Sequence, residues 1–291
     1  MRITGHTVYT LLLAIVFLVA TAVIGMRGCV YYTTPLDQRP FHQQYDTLKP
    51  SGIEGHGYGI VGSFLLIVGV GMYSARKRIR TFSHWGRISN FLAFHIFLCL
   101  AGPMLIVYHS TFKLGGLVAV SFWSMVAVVA SGAVGRYLYV QIPKGIQGNE
   151  LSVAELEEEN KRIGEILQTQ YGLNPLYLRT VDAMTLPSRP ASGMSLLEVL
   201  NFFFVQSPGR RRKLRRAYHE LERSVDPHLV RTVHRLVRRR TTYLRRIAFL
   251  GQFRQMFYYW HVIHLPFAII MFIIMFVHIG VAVAFGYTWI W

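Results

Sequence analysis

Four histidines carry the clearest chemical signal in this 291-residue chain. His95 and His109 lie in one uncharged apolar stretch, His264 and His278 in another, and each pair is separated by 14 residues. At ~100° per residue, 14 helical steps end about 40° short of four turns, so both members of a pair share one helix face. At ~1.5 Å per residue they stand ~21 Å apart along the axis. If the two helices run parallel, His95 comes level with His264, and His109 with His278. Imidazole is a strong axial ligand for haem iron, and two neutral imidazoles leave no open position, which favours electron transfer over oxygen binding. Two such levels would suit two haems b stacked across a bilayer. A lone intramembrane histidine serves instead as an interhelical hydrogen-bond partner, a proton relay or a metal ligand. Four at matched spacing favour the paired reading.

Such histidines need helices that cross a membrane. Apolar stretches run at 7–26, 59–75, 90–111, 116–141 and 258–286; residues 88–142 hold only Lys113 and Arg136 as charges, and 255–291 hold none. Each is near or above the ~17–25 residues that span ~30 Å of hydrocarbon, where an open chain satisfies its backbone only as a helix. The expected fold is an all-α integral membrane protein, a five-helix transmembrane bundle with a helical cytoplasmic insertion. Residues 1–142 supply the first four spans, 143–257 a basic helical segment and 258–291 the fifth span. With Arg2 ahead of it and small residues at its end, the first stretch also fits a cleaved signal peptide.

Charge gives the orientation. The 31 Lys and Arg against 14 Asp and Glu leave a net +17, yet only 15% of residues are charged, well below the usual quarter. That pairing excludes a disordered chain and an acidic soluble protein, and leaves a nucleic-acid binder or a membrane protein with basic loops. Loop 76–87 carries Arg76, Lys77, Arg78, Arg80 and Arg87 with no acid, whereas 28–58 sets Arg39 and Lys49 against Asp37, Asp46 and Glu54. Basic loops stay inside. The N-terminus, loop 76–87 and segment 143–259 are therefore expected in the cytoplasm, in a cell (inner) membrane, with Trp289 and Trp291 outside. The third and fifth spans then run parallel, as the histidine pairing requires.

Around the histidines, Gly102, followed by Pro103, lies midway between His95 and His109. Ser131, Gly132, Ala133 and Gly135 in the fourth span are small enough for a porphyrin or a neighbouring backbone to come close. Arg136 is expected level with the inner pair, where it could meet a haem propionate. Lys113 could serve the outer propionates or be an ordinary interfacial lysine. The expected cofactor-binding set is thus His95, His264, His109, His278, Arg136 and Gly102, the four histidines being the metal ligands. His261 precedes His264 by three residues and could replace it. His56 and His42, on the outer side, could join a quinone or metal-ion site, while His84, His219, His228 and His234 read as solvated. Cys29 and Cys99 are too few and too far apart for zinc or iron–sulfur, no C-x-x-C-H is present for covalent haem attachment, and no phosphate loop or nucleophile elbow occurs.

On the paired histidines, 14 apart in the third and fifth spans, the chain resembles the ferric-reductase-like transmembrane cytochrome b domain shared by NADPH oxidases and metalloreductases. The matching positions are His95, His109, His264 and His278, over about 59–142 and 258–286. Respiratory-chain cytochrome b uses a similar four-histidine arrangement. Two departures stand out: five spans rather than six, and no flavin or nicotinamide domain after the fifth. The resemblance implies an electron carrier that depends on a partner for its electrons, a subunit of an oxidoreductase rather than a stand-alone enzyme.

The segment 143–259 opens helices with capping boxes at Ser152–Glu155 and Ser195–Glu198 and with Asp226-Pro227. Helices are expected near 153–170, 195–206, 209–225 and 227–250, the last able to run on into the fifth span, with linkers at 143–150 and 186–193. Residues 207–254 hold 15 Lys and Arg against Glu220, Glu222 and Asp226. No aromatic-interleaved groove supports nucleic acid, so anionic lipid headgroups and an acidic cytoplasmic redox protein are the expected partners. An outer-face donor or acceptor, a c-type cytochrome or a quinone, would complete the chain. Leu196, Leu197, Leu200 and Phe202–Phe204 would lie either on the membrane or inside this segment. Two other classes compete: a transporter or metal carrier using the same histidines, and a non-redox anchor recruiting partners through its basic segment. The first of these lacks acidic residues within 90–142 and 255–291.

Overall fold

The computed structural model describes residues 5–113, 115, 118–142, 152–189, 191–202 and 207–287. Arg2, Trp289, Trp291, Phe203, Phe204, the linker 143–150 and residue 190 of the linker 186–193 lie outside the described residues. No strand occurs among the described residues. Among the described residues ten α-helices follow in order: α1 (Gly5–Thr33), α2 (Tyr45–Leu48), α3 (Ile53–Arg78), α4 (Ile88–His109), α5 (Val118–Gln141), α6 (Val153–Thr169), α7 (Pro175–Thr185), α8 (Leu196–Leu200), α9 (Ser207–Ser224) and α10 (Val230–Ala284). Of these, α1, α3, α4, α5 and α10 contain stretches long and apolar enough to cross a membrane. The protein is all-α, with five helices fit to be spans. Their apolar side chains face outward: Leu11, Leu12, Ile15, Leu18 and Val19 of α1 are all exposed. Water would penalise such a face, and hydrocarbon would not.

The chain divides into two compact units, one formed by Met1–Val134 with His261–Trp291, the other by Gly135–Trp260. In the first unit α3 and α4 pack through glycine. A Cβ on Gly62 would stand 2.8 Å from the Gly102 carbonyl oxygen, and one on Gly102 2.7 Å from that of Gly62. At Gly69 the same addition would come 2.9 Å from Leu98 Cβ. These contacts let two backbones meet with no side chain between them, which is how helices associate where burial from water supplies no drive. Past α4 the chain turns through Thr111 and Phe112, whose φ values of 50° and 61° are left-handed and unfavourable for residues with a Cβ. Arg39, only 6% exposed, holds that turn by donating to the carbonyls of Thr111, Thr34 and Tyr32.

The second unit has two apolar clusters. Leu138, Leu156, Val199, Phe202, Phe249 and Phe253 form one; Ile163, Leu167, Leu178, Val181, Val233 and Val237 belong to the other. Phe202 is thus packed inside this unit. Both expected capping boxes are present, Ser152 with Glu155 and Ser195 with Glu198. The N–H of Ser152 holds the Glu155 carboxyl below its ordinary pKa. Helix α7, absent from the expected set, is capped by Asn174 Oδ1 accepting from Leu176 N–H, with Pro175 in its first turn. Asp182 of α7 pairs with Arg240 of α10. Asp226 accepts from His228 N–H and so turns the chain into α10, which starts at Val230 rather than 227. That helix runs unbroken for 55 residues, about 80 Å at ~1.5 Å per residue. It carries the basic stretch at one end and His264 and His278 at the other.

The glycine contact gives a stability test. Gly62→Val should destabilise the detergent-solubilised protein by about 1–3 kcal/mol, the usual cost of forcing a side chain into a packed site. Gly71→Val, at a position with nothing within 4 Å of the added Cβ, should cost far less. Thermal unfolding followed by circular dichroism compares them, and equal losses would contradict the packing described.

Candidate functional site

All four paired histidines belong to the first unit. On α4, His95 Nδ1 lies 3.0 Å from the carbonyl oxygen of Gly69, and His109 Nδ1 lies 2.8 Å from that of Gly55. A carbonyl can only accept, so Nδ1 carries the proton in both rings. The remaining nitrogen, Nε2, keeps its lone pair. That is the state a metal-binding histidine takes, its far nitrogen tied to a carbonyl that fixes tautomer and ring orientation. The missing side chains at 55 and 69 leave room for other neighbours: a Cβ at Gly55 would run into the Lys49 carbonyl oxygen, and one at Gly69 would stand 2.9 Å from Leu98 Cβ. The two carbonyl donors are themselves 14 residues apart, with Gly62 midway, facing Gly102. Each seven-residue step along α3 is thus met by a seven-residue step back along α4.

Other neighbours fix the α4 rings further. Tyr73 stacks on His95 with ring centres 5.1 Å apart and planes 30° apart. Cys99 Sγ lies 3.6 Å from His95 Nδ1; both cysteines are free thiols. Beside the other ring, a Cβ on Gly59 would stand 2.8 Å from His109 Nδ1. Gly59 thus leaves the space that the His109 ring fills.

On α10, His264 Nδ1 lies 2.7 Å from Ser131 Oγ of α5, and the same hydroxyl donates to Val128 O at 2.9 Å. With its proton on that carbonyl the serine oxygen can accept Nδ1–H, which leaves His264 Nε2 with its lone pair. The His109 and His278 rings have centres 6.5 Å apart. Two imidazoles on either side of one metal ion, with ~2 Å metal–nitrogen bonds, put their ring centres about 6 Å apart. A cavity of about 790 Å³ opens here, lined by His109, His278, His56, Lys113, Phe122 and Met275 among others. That volume falls within the ~300–1,000 Å³ of cofactor and ligand sites.

The remaining expected residues fall in different places. Gly102 is buried against Gly62 of α3, so its missing side chain serves the contact between helices. Lys113 is at the cavity wall. Arg136 belongs to the second unit, exposed, with its guanidinium 5.6 Å over the Tyr139 ring. His56 stands with its ring centre 6.3 Å from that of His109, a third imidazole at this level. His42 accepts from Gln44 N–H and packs on Tyr31. His219 and His228 are exposed, and His234 packs edge-on to Tyr218. Among the described residues no group of three or more His, Cys, Asp or Glu is placed to hold a metal ion; a haem needs only two axial ligands from the chain.

Gly55, Gly69 and the Ser131 hydroxyl are absent from the expected set. For the glycines a signal existed, since they repeat the 14-residue spacing of the histidines. The serine gave only its small size. Comparison with protein-family models, with curated proteins and with solved structures finds no match to this chain.

Nitrogen-15 NMR of the histidine-labelled, metal-free protein tests the tautomers. His95, His109 and His264 should appear as neutral rings protonated on Nδ1. Signals from these residues protonated on Nε2 would contradict the hydrogen bonds described.

Proposed function

We propose that this chain is a membrane cytochrome b with two haems b, one held by His95 and His264 and the other by His109 and His278. One observation carries the reading: three of the four rings already spend Nδ1 on a fixed acceptor, at two levels 14 residues apart, and so offer Nε2 to a metal. The separation of the His109 and His278 rings supports it, as does the cavity that both residues line. Haem, when bound, supplies a one-electron carrier with no open coordination position. The chain's own residues do the rest. The Gly55 and Gly69 carbonyls and the Ser131 hydroxyl orient the imidazoles. Phe122, Met125, Met271 and Met275 wall the cavity with apolar surface and exclude water. Lys113 offers an ammonium to a carboxylate at the cavity edge.

On this reading the protein is a multi-pass protein of the cell membrane with its N-terminus in the cytoplasm, akin to the ferric-reductase-like cytochromes. It acts as the electron-transfer subunit of a redox complex. Its cytoplasmic partner is an acidic redox protein steered by the basic segment, where Arg212, Lys213, Arg215, Arg216, Arg231 and Arg235 are exposed. Arg245, Arg246 and Arg254, nearer the fifth span, suit anionic lipid headgroups. The outer partner is a quinone or a c-type cytochrome.

Protein purified from haem-replete cells should show low-spin haem b absorption at two equivalents per chain. His95→Ala and His278→Ala should each lower the content to about one equivalent, because each removes a ligand from a different level. A colourless wild-type preparation would sink the proposal, and two equivalents retained in both variants would move the ligands elsewhere.

A further inference from the structure

The two histidine levels differ in one contact that their spacing does not foreshadow. On α4 they match, since His95 and His109 each give Nδ1–H to a glycine carbonyl of α3. On α10 they do not. His264 gives its Nδ1–H to Ser131 Oγ. His278 is exposed and lines the cavity, with no hydrogen-bond partner among the described residues.

The serine is well placed to act on its neighbour. Its oxygen stands 2.9 Å from Val128 O and 2.7 Å from His264 Nδ1, so with its proton on the carbonyl it accepts Nδ1–H, the arrangement that a ring ligating through Nε2 requires. An imidazole that gives Nδ1–H to a fixed acceptor becomes a more basic ligand through Nε2. A more basic axial ligand stabilises the ferric over the ferrous state of the iron it holds. Second-sphere hydrogen bonding of this kind is one of the protein's main means of tuning a haem.

We infer that Ser131 is a positioning residue that acts through His264. It locks that ring's tautomer and keeps the haem at the His95/His264 level lower in reduction potential than the haem at the His109/His278 level. The inference rests on the two-haem reading. A serine present only for its small size, allowing helices to approach, would be replaceable by alanine without effect on potential.

The test is a redox titration of the full-length protein in detergent, followed by haem absorption after the haem content has been counted. Wild type should titrate with two midpoints. Ser131→Ala should raise the lower one by about tenfold in the reduction equilibrium, about 59 mV for one electron, and leave the upper one in place. Ser131→Thr, which keeps the hydroxyl, should titrate as wild type. If Ser131→Ala does not retain its haem, Ser131→Cys, nearly the same size but with a weakly accepting sulfur, should raise the same midpoint. Two haems with unmoved midpoints in the alanine or cysteine variant would overturn the role of Ser131 and leave the two-haem reading intact. So would movement of the upper midpoint alone. A wild type without haem would remove both.

Discussion

Gly62 and Gly102 meet where α3 and α4 run side by side, and a Cβ on either would stand 2.8 or 2.7 Å from the carbonyl oxygen of the other. Backbones this close fix the register of two antiparallel helices within one residue. Once that register is set, seven residues in either direction bring a histidine of α4 opposite a glycine carbonyl of α3. An imidazole N–H in hydrocarbon needs an acceptor, since an unsatisfied polar group there costs several kcal/mol. At Gly59 a Cβ would stand 2.8 Å from His109 Nδ1 and push that ring aside. The α3 backbone is therefore as much part of the site as the histidines, and its carbonyls determine which nitrogen each α4 ring has left to offer.

The fifth span extends the same logic to a second partner. Helix α10 supplies His264 and His278 and, at its other end, much of the basic surface of the second unit. Ser131 reaches His264 from α5 with a side chain rather than a backbone carbonyl. A hydroxyl can be removed by one substitution, whereas the carbonyls of Gly55 and Gly69 cannot. This makes the α10 half of the site the part that sequence change can tune.

Much of this architecture is legible in the sequence because it is local. The five apolar runs, the histidine spacing and the capping boxes at Ser152 and Ser195 depend on residues within one helix or one turn of each other. Helix α7 was equally local: Asn174-Pro175 is a cap followed by proline in the first turn, a signal masked by the short length of the helix. The pairing of Gly55 with His109 and of Gly69 with His95 is different in kind. It joins residues 54 and 26 positions apart, and only the register of α3 on α4 brings them together. Gly102 shows the same limit from the other side. Its position between two histidines suggested room for a cofactor, whereas its neighbour is the backbone of α3. Ser131 was legible as a small residue, but its hydroxyl acquires meaning only when α5 lies against α10.

In the proposed function, two pairs of imidazoles each enclose one iron. Low-temperature electron paramagnetic resonance of the oxidised, purified wild-type protein addresses that coordination directly. Two six-coordinate, bis-histidine haems should give low-spin ferric signals and no substantial high-spin signal. A predominantly high-spin, five-coordinate spectrum, or no ferric haem signal from haem-replete cells, would contradict it.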